Sequence, residues 1–154
     1  MFAETVSPQL IKEYVDTGKV RFVFRNWPIF SGTDSTNAAE ATYCAQDQDK
    51  FWPYHDKLFA ISTEDTGVFT LDVLKTVAKD TGLTVNTFSS CLDSHKYADQ
   101  VKKDQQYGQQ TAQQLGFQGT PAFMINGKAT GLKGADATAW IANLKKELDA
   151  ELAK

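Results

Sequence analysis

Gly116-Phe117-Gln118-Gly119-Thr120-Pro121-Ala122-Phe123-Met124-Ile125-Asn126-Gly127 reads as a turn, a proline, a short apolar strand and a hairpin turn. Asn126-Gly127 is the strongest of these signals. A type I′ turn needs positive φ at both central residues, and Asn-Gly accepts it at least cost. Ala122 to Ile125 is therefore expected as a strand, with Lys128 to Leu132 returning antiparallel. The Thr120-Pro121 bond has two possible forms, cis in a tight loop or an ordinary trans bond ahead of a strand.

Helical periodicity surrounds this stretch. Downstream, Asp136 can cap a helix whose Trp140, Ile141, Leu144 and Leu148 form one apolar stripe. Upstream, a helix from about Lys96 to Leu115 carries Val101, Gly108, Ala112 and Leu115 on one side. Six glutamines lie between Gln105 and Gln114 and read as a solvated face. Asn86 can cap a short helix with Phe88, Cys91 and Leu92. Thr70 can cap the helix of Leu71, Leu74, Val77 and Ala78, closed by Gly82. Ser62 to Gly67 reads as a polar loop. Phe51 starts a helix with Pro53 in its first turn, where a missing N–H costs little. Asp34 or Ser35 can cap another through about Gln48.

The N-terminal third returns to α/β. Residues 2–17 carry Leu10, Ile11, Tyr14 and Val15 at helical spacing, with Gly18 after them. Pro8 should kink this helix or begin its regular part. Val20 to Asn26 alternates, with Val20, Phe22 and Phe24 on one side and Arg21, Val23 and Arg25 on the other, the pattern of a strand.

Bulk properties exclude several function classes. A chain of 154 residues, 42% hydrophobic and 23% charged, fits one globular domain. A net charge of −3 argues against binding a nucleic-acid backbone. No apolar run reaches membrane-span length, and no basic-then-apolar leader follows Met1. His55 and His95 are the only histidines, too few for a zinc site with three or four ligands. His55, among Phe51, Trp52, Tyr54 and Phe59, reads as packing. No metal or cofactor is expected.

Taken together, the order helix, strand, helical block, proline loop, hairpin, helix resembles the DsbA-like thiol-disulfide oxidoreductases of the thioredoxin-fold superfamily. The segments that carry the likeness are Asp16-Thr17-Gly18-Lys19-Val20-Arg21-Phe22-Val23-Phe24-Arg25, Gln48-Asp49-Lys50-Phe51-Trp52-Pro53-Tyr54-His55-Asp56-Lys57-Leu58-Phe59, Cys91-Leu92-Asp93-Ser94 and Gly119 to Gly127. The resemblance implies an α/β, thioredoxin-like single domain over residues 1–154. A helical insertion would occupy about residues 34–115. It also implies a cis-proline loop in which Thr120 and Pro121 bind the backbone of an extended substrate. Substrates of a full-length parent would be cysteine-containing polypeptides, met outside the cytoplasm in the periplasm or cell envelope.

One departure from the family stands out. The only cysteines are Cys44 and Cys91, 47 positions apart, and no Cys-x-x-Cys is present. In the family that motif and a strand stand directly before the helix that here begins at Met1. The chain is therefore expected to be N-terminally truncated, without its central strand or catalytic cysteines, and inactive alone. Its sheet would be closed by a homo-oligomer or strand-exchanged dimer, or by collapse of the flanking strands. Cys44 and Cys91 are open to three readings: a structural disulfide, as the resemblance implies, two buried free thiols, or a catalytic pair. A different class of function is a non-catalytic peptide-binding module acting through the Pro121 loop.

Overall fold

Local chemistry sets most of the helix boundaries. In this computed structural model, residues 2–29, 33–62, 69–131 and 136–154 are described. Helix α1 covers residues 2–15. It is α-helical at Ser7–Leu10 and widens to π-helical turns at Phe2–Val6 and Ile11–Val15. Pro8 sits in the α-helical turn. It lacks the N–H that would continue the ladder, so the regular hydrogen bonding is interrupted around it. Gly18, at φ +73°, ends the helix, and the amides of Lys19 and Val20 both close on the Tyr14 carbonyl.

The remaining helices are α2 (Asp34–Gln46), α3 (Phe51–Ser62), α4 (Leu71–Asp80), α5 (Val85–Asp93), α6 (Ala98–Leu115) and α7 (Ala137–Leu152). Thr70 accepts from the Val73 amide and Asp136 from the Ala139 amide, as their positions predict. Gly82 ends α4 at φ +74°. At α5 the boundary differs from expectation. Thr84 is the cap position, without a side-chain bond, and Asn86 lies inside the first turn. The Thr84 amide is instead satisfied by the Gln48 side chain at 2.8 Å, a partner 36 residues away that local capping rules cannot foresee. The polar loop expected from Ser62 to Gly67 falls almost wholly outside the described residues.

Two strands, β1 (Phe123–Ile125) and β2 (Lys128–Thr130), form an antiparallel hairpin. Phe123 faces Thr130, Met124 faces Ala129 and Ile125 faces Lys128. Asn126 and Gly127 both take positive φ, 49° and 79°, which the turn requires. The expected Val20–Asn26 strand is not assigned to any sheet among the described residues. The alternation survives nevertheless: Val20, Phe22 and Phe24 are half-buried and Arg21, Val23 and Arg25 exposed. Periodicity records which side faces the interior. It does not record whether a ladder partner is present.

The chain divides into two compact units, Met1–Phe24 with Thr111–Lys154, and Arg25–Gln110. In the first, α1 packs on α7. Tyr14 donates to Asp149 at 2.8 Å and Lys145 pairs with Glu13 at 2.6 Å. Burial, and then the hydrogen bond to Asp149, push the Tyr14 phenol up to about 12. The hairpin rests on α7 through Thr130 with Glu147 and Asn126 with Glu151. In the second unit, α2 to α5 enclose an apolar core that includes Ala41, Tyr54, Leu74, Ala78, Phe88 and Leu92. The Tyr54 and Phe88 rings meet at 5.3 Å, and the Tyr54 hydroxyl is satisfied by the Leu74 carbonyl.

Residues 25–28 of the second unit are fastened to α6. The Arg25 guanidinium lies 4.8 Å over the Tyr107 ring, and Gln105 donates to the Pro28 carbonyl. Between them the Trp27 indole occupies the space above Gly108. A Cβ added at Gly108 would lie 2.5 Å from two indole carbons. Gly108→Ala is therefore expected to destabilise the protein by about 1–3 kcal/mol, despite alanine's better helix propensity. Urea unfolding followed by tryptophan fluorescence measures this; an unchanged midpoint would show that Trp27 moves freely.

Candidate functional site

Thr120 and Pro121 lie in the connection between α6 and β1. Gly116, at φ +76°, turns the chain out of α6, and the Phe117 amide closes on Ala112. The Thr120-Pro121 bond is cis, and both residues are exposed. The chain therefore enters β1 through two exposed residues. On the inner side, Phe123 meets Phe2 of α1 with ring centroids 4.5 Å apart and a tilt of 50°. The start of α1 and the proline loop are thus neighbours within one unit, joined by an aromatic contact worth about 0.5–1.5 kcal/mol beyond its buried area.

The chain belongs to the thioredoxin family. Residues 1–147 match the family described as Thioredoxin. The chain is 36% identical to the probable disulfide bond formation protein D of Bacillus anthracis, across 97% of this chain and 66% of that protein. It is 34% identical to the disulfide bond formation protein D of Bacillus subtilis, across 83% of this chain and 57% of that one. Among solved structures, oxidised BdbD of Bacillus subtilis superposes with a TM-score of 0.79 at 30% identity, covering 99% of this chain and 80% of that one. The chain thus spans just under two thirds of the length of the first curated relatives it matches. These likenesses identify a helix-rich, thioredoxin-like α/β fold related to DsbA-like disulfide oxidoreductases.

Both cysteines of this thioredoxin-family chain sit in the helical unit. Cys44 on α2 and Cys91 on α5 form a disulfide, with Cα atoms 5.8 Å apart. Cys44 is 1% exposed, and Cys91 is half-buried against the same apolar core. Of the readings open in the sequence, two free thiols are set aside by this bond. Periodicity places each cysteine on the inner face of its helix, but only the packing of α2 on α5 makes them meet. Thiol counting on the unfolded, unreduced protein should find no free thiol.

His55 shows how a suggestive residue resolves into packing. Its ring is buried between Phe51, at 5.7 Å, and Phe59, at 4.6 Å, with Nδ1 2.9 Å from Asp56. Among the described residues no three His, Cys, Asp or Glu side chains converge as metal ligands. Burial holds the His55 pKa below 6.5, with Asp56 opposing. In the window below 6.5 the unfolded chain therefore binds the extra proton, and stability rises with pH there. The contribution is fully present above 6.5 and is lost as pH falls through the lowered folded value. Between pH 7 and pH 5, His55→Gln is expected to lose less unfolding free energy than the parent. Parallel losses in denaturant titrations at both pH values would show that another group sets the acid limit.

The Glu40–His95 contact, with Nδ1 3.3 Å from Oε1, gave no sequence signal. The two residues are 55 positions apart, and neither stands in a motif. Only Glu40's place among buried residues, between Ala39 and Ala41 on α2, could have marked it.

Proposed function

We propose that the chain is a DsbA-type thiol-disulfide oxidoreductase module that holds cysteine-containing, exported polypeptides at the Thr120-Pro121 loop. The observation that carries this reading is an exposed proline loop leading into β1 beside the start of α1, in a chain of the thioredoxin family. An extended peptide passing Thr120 would pair with its backbone, and the substrate's own cysteines would select it. Family membership and relatives named for disulfide bond formation support the assignment, and with it a location in the cell envelope.

Exchange at that loop needs a thiolate, with a second cysteine to resolve the mixed disulfide. Cys44 and Cys91 already hold each other in the helical unit, where they act as a structural link. In the chain-entropy picture, closing a loop of this length contributes roughly 4 kcal/mol. Residues 1–154 therefore do not turn over by themselves. Their sheet is completed by a second copy that pairs with residues 20–26 and β1, a reading supported by the retained alternation and by exposed Val23 and Met124. The occupied cysteines also favour a second reading, a peptide-binding module without catalysis.

Oxidative refolding of a reduced, unfolded polypeptide tests the assignment. This chain should not speed disulfide formation, yet should bind the same polypeptide, and Pro121→Ala should weaken binding by roughly fivefold, because the ring that restricts the Thr120 backbone is gone and about one net hydrogen bond from Thr120 to the peptide is lost. Turnover abolished by Cys44→Ser would make Cys44 and Cys91 the redox pair. A lack of binding would remove the loop's assignment in both readings.

A further inference from the structure

Glu40 is a carboxylate in an apolar interior with part of its bonding capacity unused. It is 4% exposed, and its Oε2 is buried with no hydrogen-bond partner among the described residues. Leaving such an oxygen unpaired is costly, and more so if it carries charge. Cys44 follows Glu40 by four positions on α2, and Asp47, which caps its C-terminal end, follows by seven, so all three lie along one stripe.

Each member of the stripe reaches the end of α5 or the turn after it. Cys44 bonds Cys91, and Glu40 contacts His95. Asp47 accepts from Lys96 at 2.6 Å and from Tyr97. Cys91 and His95 are themselves four residues apart. The Glu40–His95 contact therefore runs beside the disulfide between the same two backbone segments. Lys96 answers the charge of Asp47, and His95 meets one oxygen of Glu40, which leaves the other oxygen without a partner among the described residues.

We propose that the Cys44–Cys91 disulfide can be reduced by a dithiol in the folded protein, and that Glu40, positioned by His95, donates the proton to the departing Cys44 sulfur. Cys91 is the more accessible of the two sulfurs and takes the attack. A thiolate of the dithiol forms a bond to Cys91 Sγ, and the Cys44–Cys91 bond breaks with its electron pair on Cys44 Sγ. A thiolate in apolar surroundings is disfavoured, so the proton must arrive as that bond breaks. The imidazolium form of His95 passes its Nδ1 proton to the Glu40 carboxylate, the unpaired Glu40 oxygen hands a proton to Cys44 Sγ, and neutral His95, which is exposed, takes a proton back from solvent. The dithiol's second thiolate then attacks its own sulfur in the mixed disulfide, releasing Cys91, which takes a proton from water. Two electrons have passed to the chain, and the dithiol leaves as a disulfide. This device is independent of peptide binding at Thr120-Pro121, and it makes the structural link of the helical unit addressable by reductant.

The test is the rate at which dithiothreitol reduces the oxidised protein, read by thiol labelling in native buffer and in guanidinium. Glu40→Gln should slow native-state reduction at least about tenfold. Glu40→Asp should recover part of the rate, His95→Gln should be intermediate, and all variants should react equally once unfolded. A merely structural role for Glu40 predicts the opposite sign, because loosening the helices would expose the disulfide and speed its reduction. A parent-like or faster native rate for Glu40→Gln, or a slowing that persists in guanidinium, overturns the proposal. If Glu40→Gln does not fold, His95→Gln decides: a parent-like native rate overturns it.

Discussion

The bond between Cys44 and Cys91 is the constraint around which the helical unit is arranged. It joins α2 to α5 beside the core that Tyr54 of α3 forms with Phe88 and Leu92 of α5. A covalent link removes conformations from the unfolded chain, so the core gathered around it starts from a smaller entropy deficit. The same juncture carries three polar contacts, Glu40 with His95 and Asp47 with both Lys96 and Tyr97. These lie on either side of the disulfide along α2 and hold the turn that follows α5. His95 takes positive φ in that turn, at 51°. A backbone position that is unfavourable for most residues is thus placed where several contacts determine it.

The other unit depends on a smaller set of interactions. Its hairpin has only three residues per strand, and an isolated hairpin of that size is marginal in water. Stability comes from what the hairpin leans on. Phe123 packs on Phe2, Thr130 and Asn126 bond to α7, and α7 is bound to α1 through Tyr14 and Asp149. The consequence for function is positional. β1 is held from one face and from the β2 edge, which leaves the preceding Thr120-Pro121 loop exposed at its entry. The loop thus has a fixed strand behind it and two exposed residues, Thr120 and Pro121, at its tip.

Much of the architecture was legible because it follows from short-range chemistry. Asp136, Thr70, Gly18, Gly82 and Asn126-Gly127 act on neighbours within a few residues, so their effects hold whatever the rest of the chain does. The alternation of Val20 to Asn26 was also read correctly as burial, but not as a sheet, since a ladder needs a partner supplied from elsewhere. Asn86 was displaced as a cap by Thr84 because Gln48 reaches that amide from α2's end. The family likeness was legible from segments spread over nearly the whole chain. Glu40 was not, because nothing in its local sequence distinguishes a buried carboxylate from a solvated one.

Sequence alone determined where most helices start and stop, where the hairpin turns, and which family the chain resembles. These depend on backbone conformational preferences and on side chains satisfying nearby amides. Tertiary structure alone decided which distant groups share a site. It brought Cys44 to Cys91, set Glu40 against His95 beside them, laid Trp27 into the notch at Gly108, and placed Phe2 against Phe123. Those contacts join residues tens of positions apart. Their geometry is set by how helices pack, and the spacing of residues along the chain does not specify it.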